Sequence, residues 1–285
     1  MEIVKMIKLM IDSASDITEN EAQALGVTLM PIEVRFDNIE YLDGVDIKPQ
    51  QFFELLLKTE NLPKTSLINE YRWEEAFTQA TSDGSEVIVI SLSSLLSGSY
   101  NAAKEAAKKF NGKVYVIDSK SATIGERLLL QYAQTLIKKG LSAKEIASIL
   151  TASVQKLNIK AFIDTLKYLK MGGRISGAAA VVGGMLSIKP IITVEEGAIK
   201  NIGKAMGTKK AIVTLKNIVK EKQIDYDMPF GIVWSGLNDS NLQLFLADAK
   251  ELWQGKEQDL QIYPMGCTIG THIGPGAVGF VFFEK

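Results

Sequence analysis

Apolar residues recur along this chain with two different periods, and the changes of period mark out its elements. Compact apolar runs at residues 7–11, 87–92 and 114–117 fit strands covered on both faces, because parallel sheets carry continuous rather than alternating apolar runs. Between them, apolar positions return every three to four residues at 19–25, 50–58, 71–81, 100–110 and 125–138, the spacing of helices with one buried face. A further helix starts at Ser142, with Glu145 in the capping-box position. Residues 27–36 read as one strand and 41–44 as a turn. Short strands separated by helices predict a mainly parallel sheet flanked by helices.

The second half has another rhythm. Strands are predicted at 159–163, 188–194, 198–202, 230–234, 260–264 and 278–283, and helices at 165–171, 209–222 and 240–252. Glu196-Gly197 reads as a hairpin turn, so at least one pair of strands is antiparallel. The pattern predicts an α/β chain of two domains: residues 1–157 with a mainly parallel sheet, and residues 158–285 as an α+β unit with a mixed sheet. Residues 172–176 read as a turn, and the small, apolar run 177–184 as close helix packing or one wall of a slender apolar site.

Composition narrows the function classes. With 32 Lys plus Arg against 33 Asp plus Glu, the net charge is -1, which offers no basic excess to nucleic acid. One cysteine, Cys267, excludes an intrachain disulfide, and one histidine, His272, excludes a His-rich zinc site, so no metal site is expected. The first residues read as a strand rather than a signal peptide, and the longest weakly polar stretch, 175–188, is shorter than the roughly 20 residues a membrane helix needs. A soluble, cytoplasmic protein is expected.

Candidate chemistry gathers where strands end. The run at 7–11 gives way to Asp12-Ser13-Ala14-Ser15-Asp16, that at 87–92 to Ser93-Ser94 and Ser97-Gly98-Ser99, and that at 114–117 to Asp118-Ser119. Ligands of open parallel sheets bind outside the carboxyl ends of strands. The turn with Ser97 and Gly98 suits an anion best, since glycine allows close backbone approach and the next helix offers its positive end. A simple helix cap explains Ser97 equally well, and spacing leaves both readings open. Thr65-Ser66 is a second hydroxyl pair, read alone as a cap in a loop. Residues 270–276 place His272 on a glycine-rich loop, with the ring accessible or structurally satisfied.

Several catalytic signatures fail. Gly274 to Gly279 satisfies a bare G-x-G-x-x-G pattern, but no βαβ unit follows, and Gly197 to Lys204 has the wrong spacing and no Ser/Thr for a P-loop. No serine lies in G-x-S-x-G. A Ser97–His272 pair with Asp118 as third member keeps a serine hydrolase or acyltransferase open as an alternative.

Read in order, Asp12 to Asp16, Leu62-Pro63-Lys64-Thr65-Ser66, Leu92 to Asn101, Lys170-Met171-Gly172-Gly173-Arg174-Ile175-Ser176, Gly207-Thr208-Lys209-Lys210-Ala211 and Thr271 to Ala277 resemble the DegV family over nearly the whole chain. The resemblance implies a two-domain α/β protein that binds one long-chain fatty acid and needs no other cofactor. It further implies that the acid is presented to a separate fatty acid kinase subunit, which makes an acyl phosphate for phospholipid synthesis, with transient membrane contact. Carried over motif by motif, Thr65, Ser97 and His272 would hold the carboxyl group, with Ser66, Ser94, Gly98 and Gly274 beside them. Ile175, Ala179, Val182, Met185 and Met206 would border the acyl tunnel. A lipid-sensing regulatory module without a kinase partner is the second alternative. The chain departs from the family in Ser99 for the usual Thr, in Leu67-Ile68 for Gln-Pro, and in Met206 where many relatives carry Arg.

Overall fold

Strand β1 (Ile7–Asp12) lies at the centre of a parallel sheet, because its apolar residues are covered from both sides. The computed structural model describes residues 6–175 and 187–285. Helix α1 (Glu19–Leu25) follows under a capping box of Thr18 and Glu21 and ends on Gly26 at φ 66°. Strand β2 (Thr28–Met30) pairs with β1, but β3 (Glu33–Phe36) does not. The single strand expected at 27–36 is therefore two, in different sheets. Pro31, which has no N–H for a ladder, stands between them.

β4 (Ile39–Leu42), helix α2 (Pro49–Lys58) and β5 (Lys64–Ser66) come next, and β4, β3 and β5 form a small antiparallel sheet in that order. The turn expected at 41–44 thus begins inside a strand, and Thr65-Ser66 lies on an edge strand rather than in a loop. Then follow α3 (Glu70–Thr81), β6 (Glu86–Ser91), α4 (Ser99–Ala107), β7 (Val114–Asp118), α5 (Ile124–Lys138) and α6 (Ala143–Ser153). The first sheet has the order β2-β1-β6-β7, all parallel.

From Leu157 the chain builds a second, mixed sheet. Its strands are β8 (Leu157–Phe162), β9 (Ile188–Glu195), β10 (Ala198–Met206), β11 (Gly231–Trp234), β12 (Gln261–Pro264) and β13 (Val278–Phe283), in the order β10-β9-β8-β13-β11-β12. Between them lie α7 (Lys167–Met171), α8 (Thr208–Lys220), α9 (Ser240–Asp248) and α10 (Cys267–Ile273). The hairpin β9–β10 turns at Glu196 and Gly197, both at positive φ (52° and 87°), as a two-residue turn of that hand requires. The helix expected at 240–252 stops at Asp248 and gives way to a separate short turn. The fold is thus α/β, with a parallel sheet flanked by helices and a mixed sheet after it. One apolar cluster joins the two sheets, taking in Ile90 and Leu92 from one side and Ile159, Ile192 and Val233 from the other. No described helix is long and apolar enough to cross a membrane.

Candidate functional site

After β6 the chain turns sharply. The N–H groups of Leu96 and Ser97 donate to the Ser93 carbonyl at 2.9 and 3.1 Å. Gly98, not Ser97, occupies the N-cap of α4. Ser97 Oγ accepts from the Ser99 N–H at 3.2 Å and lies 3.0 Å from Ser99 Oγ, which itself accepts from the Ile68 N–H at 3.0 Å. With the Ser99 hydroxyl donating to Ser97 Oγ, the Ser97 proton is left to reach outward. Holding the helix end and meeting a ligand are therefore compatible at this serine. A Cβ on Gly98 would lie 2.9 Å from Leu67 Cδ2, the tip of the side chain that follows β5.

Of the glycine-rich segment 270–276, the first four residues, His272 among them, belong to the short helix α10, and 274–276 form the turn that follows. Gly270 lies within the helix and Gly266 and Gly274 cap its two ends, and at each a close neighbour occupies the space a Cβ would take. A Cβ on Gly270 would lie 2.9 Å from Phe52 and 3.0 Å from Phe53 of α2, and one on Gly274 would overlap the Tyr168 ring. Spacing alone hid this helix because glycine carries the poorest helix propensity after proline.

α10 carries His272 to Thr65: Nε2 lies 3.0 Å from Thr65 Oγ1. The other ring nitrogen, Nδ1, is buried, with no hydrogen-bond partner among the described residues, and a Cβ on Gly172 would overlap it. Assigning the proton to Nε2 makes the imidazole a donor to Thr65 and leaves the Thr65 hydroxyl proton free. Burial, with a smaller push from Arg174, lowers the His272 pKa to about 4, so the ring is neutral at pH 7. Arg174 itself stands over the turn, donating from Nε to the Leu96 carbonyl at 3.2 Å and from its guanidinium to the Gly172 carbonyl.

Thr65, Ser66, Ser97, Gly98, His272 and Arg174 all border one cavity of about 240 Å³. Much of its remaining lining is aliphatic, with Ile159, Ile192, Val194, Ile199 and Val233 reaching in from the mixed sheet and Ile163 from just beyond β8. Thr123 and Thr193 also border it, but their hydroxyls donate to Asp16 and to the Ile159 carbonyl. Thr123 holds φ at 55°, a strained value for a β-branched residue.

Not every candidate reaches this cavity. Ser94 turns its hydroxyl to Asp118 Oδ2 at 2.6 Å, and Gly274 packs on Tyr168. Ile175 is buried and Met206 is 58% exposed at the end of β10, and neither is among the described residues lining the cavity. Ala179, Val182 and Met185 lie outside the described residues. Most of the polar rim expected to meet a ligand is instead self-satisfied. Asp12 accepts from Ser91 Oγ and the Leu92 N–H, both at 2.8 Å, and Ser13 accepts from the Ile32 N–H at 3.0 Å. Sequence reasoning did not single out Arg174 as a site residue; its place directly after the Gly172-Gly173 pair was the available signal.

A triad is not assembled. Asp118 serves Ser94 and the Lys120 N–H, while His272 bonds Thr65 rather than an acid. No group of three or more His, Cys, Asp or Glu among the described residues is placed to hold a metal. Cys267 is buried with its thiol pushed far up by burial, which leaves it unreactive. What the arrangement offers is two hydroxyls, a neutral imidazole and a guanidinium at one apolar cavity, a set suited to a single carboxylate.

Known proteins resemble the chain over nearly its whole length. The model of the family described as "Uncharacterised protein, DegV family" matches residues 6–285. The chain belongs to the DegV family. A DegV domain-containing protein of Caldanaerobacter subterraneus subsp. tengcongensis is 33% identical over 288 residues, covering 99% of this chain and 100% of that one. Among solved structures, a DegV family protein from Thermus thermophilus, described by its fatty acid binding, superposes with a TM-score of 0.87 at 27% identity, covering 98% of this chain and 100% of its own. A stearic acid-binding protein from Eubacterium ventriosum gives 0.84 at 27% identity, covering 98% and 99%. A fatty acid binding DegV family protein from Streptococcus agalactiae gives 0.85 at 26% identity, covering 99% of each chain.

Proposed function

We propose that this DegV protein binds one long-chain fatty acid, its carboxyl group held by Thr65, Ser97 and His272 and its chain lying in the aliphatic cavity. The observation that carries the reading is the meeting, at one apolar cavity, of three side chains from separate elements: β5, the turn before α4, and α10. Burying about 15 methylenes would contribute a gross figure of roughly 12 kcal/mol at about 0.8 kcal/mol each, of which ordering and association costs take back a large part. A desolvated carboxylate is costly unless its oxygens are met by donors; the Thr65 and Ser97 hydroxyls supply them, with His272 donating to Thr65 Oγ1 and so turning the Thr65 proton outward. Arg174, bordering the same cavity, adds a positive charge that favours the ionised head.

The chemistry of the bound acid then belongs elsewhere. The site carries no assembled triad, and the carboxyl group would sit at Ser97 and His272, with the exposed Leu67 bordering the same cavity. In this reading the protein is a non-catalytic, cytoplasmic carrier that presents the acid to a separate fatty acid kinase subunit, which phosphorylates it for phospholipid synthesis, with transient membrane contact during loading. Ser66 and Gly98 would frame the head, and Ile175, Ala179, Val182, Met185 and Met206 would shape the tunnel beyond the described cavity lining. The first test is mass spectrometry of lipid released from the denatured protein, expected to show one fatty acid per chain. Protein that releases none and stays empty when offered palmitate, oleate and stearate would overturn the reading. Adding a fatty acid kinase subunit with ATP should convert the bound acid to acyl phosphate; bound acid that no such subunit phosphorylates would favour a lipid-sensing module.

A further inference from the structure

We propose that Asp43 is a positioning residue which, with Asp16, anchors helix α10 and thereby sets the place of His272; the consequence for ligand affinity rests on the fatty-acid reading above. The two carboxylates come from the first half of the chain and the helix from the second. Asp43 Oδ1 accepts from the Cys267 N–H at 3.0 Å and Oδ2 from the Thr268 N–H at 2.9 Å, so one side chain meets the first two helical amides. Asp16 Oδ1 accepts from the Gly266 N–H at 2.7 Å, just before the helix. A Cβ on Gly266 would lie 3.0 Å from that oxygen, so a glycine there permits the approach.

All of these groups are buried, and buried amides left without acceptors carry a full desolvation penalty. In a helix of seven residues that penalty falls on a large share of the backbone. The far end is held separately, by Ser235 Oγ donating to the Gly274 carbonyl at 2.7 Å and by Tyr168 against Gly274. His272 stands five residues from Cys267, roughly 7.5 Å along the axis at about 1.5 Å per residue. A tilt of the anchored end therefore reaches the imidazole directly. Asp43 is itself fixed, its N–H donating to the Ile32 carbonyl at 3.0 Å, and Ile32 borders the same cavity.

The only imidazole in the chain makes the placement measurable, because labelled histidine gives one ring spectrum. The experiment compares wild type, Asp43→Asn, Asp43→Ala and Ser142→Ala in the full chain. Ser142 caps α6 through Glu145 and serves as a control for loss of a cap in another helix. Two readouts are taken: the ring titration of the ligand-free protein and the palmitate Kd from displacement of a fluorescent acid. Asp43→Ala should move the titration from about 4 towards the ordinary 6.5, as the ring leaves its buried seat, and weaken palmitate binding by about tenfold. Asp43→Asn keeps one carbonyl acceptor and should move both readouts part of the way, which keeps the test valid if the alanine variant fails to fold. Ser142→Ala should leave both unchanged. A folded Asp43 variant whose imidazole titrates as in wild type overturns the proposal, as does a Ser142→Ala protein that shifts as far. Wild type that fails to bind palmitate, while the Asp43 variants still move the imidazole, overturns the fatty-acid reading and upholds the anchoring of α10.

Discussion

Replacing Thr65 by valine removes one hydroxyl at nearly constant shape, and its cost can be worked from two bonds. In the ligand-free protein the hydroxyl stands 3.0 Å from His272 Nε2, so the substitution leaves a largely buried ring nitrogen against a methyl group. A neutral bond of this kind is worth about 1 kcal/mol net, which in a chain of this size lowers Tm by roughly 2–4 °C. In the complex the carboxylate loses a donor as well, and bonds to charged groups are worth about 1.5–3 kcal/mol, or roughly 10–150-fold in Kd. The affinity loss should therefore exceed the stability loss. Displacement of a fluorescent fatty acid by palmitate measures the first and calorimetry the second, with Thr65→Ser expected close to wild type in both. Because Thr65 and His272 touch, combining Thr65→Val with His272→Ala should cost about 1 kcal/mol less than the sum of the single changes. A Thr65→Val Kd within twofold of wild type, or strict additivity with His272→Ala, would refute the shared site.

Four further outcomes follow from the geometry. Protonation of His272 is resisted in the folded state, so its contribution to stability is fully present above about 6.5 and is lost as pH falls through about 4; calorimetry between those values should show a slope that His272→Gln removes. Glu126 is buried with both carboxyl oxygens unpartnered among the described residues, and burial together with Asp12 holds its pKa well above the ordinary range. A raised acid gives stability that is fully present below the ordinary 4.5 and is lost as pH rises, so Glu126→Gln should match wild type in Tm near pH 4 and exceed it near pH 9. Ala161→Phe, which fills cavity space, should shorten the acids recovered by mass spectrometry, whereas an unchanged chain-length profile would place the tail elsewhere. Gly274→Ala meets both the Tyr168 ring and a φ of 75°, and denaturant melts should show a loss of roughly 2–4 kcal/mol.

Much of the fold was legible because its signals are local. The apolar runs that became β1, β6 and β7, the Ser142–Glu145 capping box and the Glu196-Gly197 turn each carry their cause in adjacent residues. What escaped was decided at a distance. The break at Pro31 is visible, but the small sheet that takes β3 depends on pairing with β5, more than 20 residues on. The glycines of α10 read as loop punctuation until Phe52, Phe53 and Tyr168 are placed against them. The site divides in the same way. Thr65, Ser97 and His272 stand out by chemistry, yet only the fold shows them at one cavity, with Arg174 beside them and Ser94 turned away to Asp118. Polar residues at strand ends looked like a ligand rim, but buried polar groups must first satisfy one another, and Asp12, Ser13 and Ser91 do so.

A crystal structure of the protein with palmitate tests the central claim most directly. The carboxyl oxygens should lie within hydrogen-bond distance of Thr65 Oγ1 and Ser97 Oγ, with His272 Nε2 against Thr65 Oγ1 beside them and the chain running between Ile159, Ile192, Ile199 and Val233. A carboxyl group bound away from these three side chains, or a chain lying outside that aliphatic lining, would contradict it.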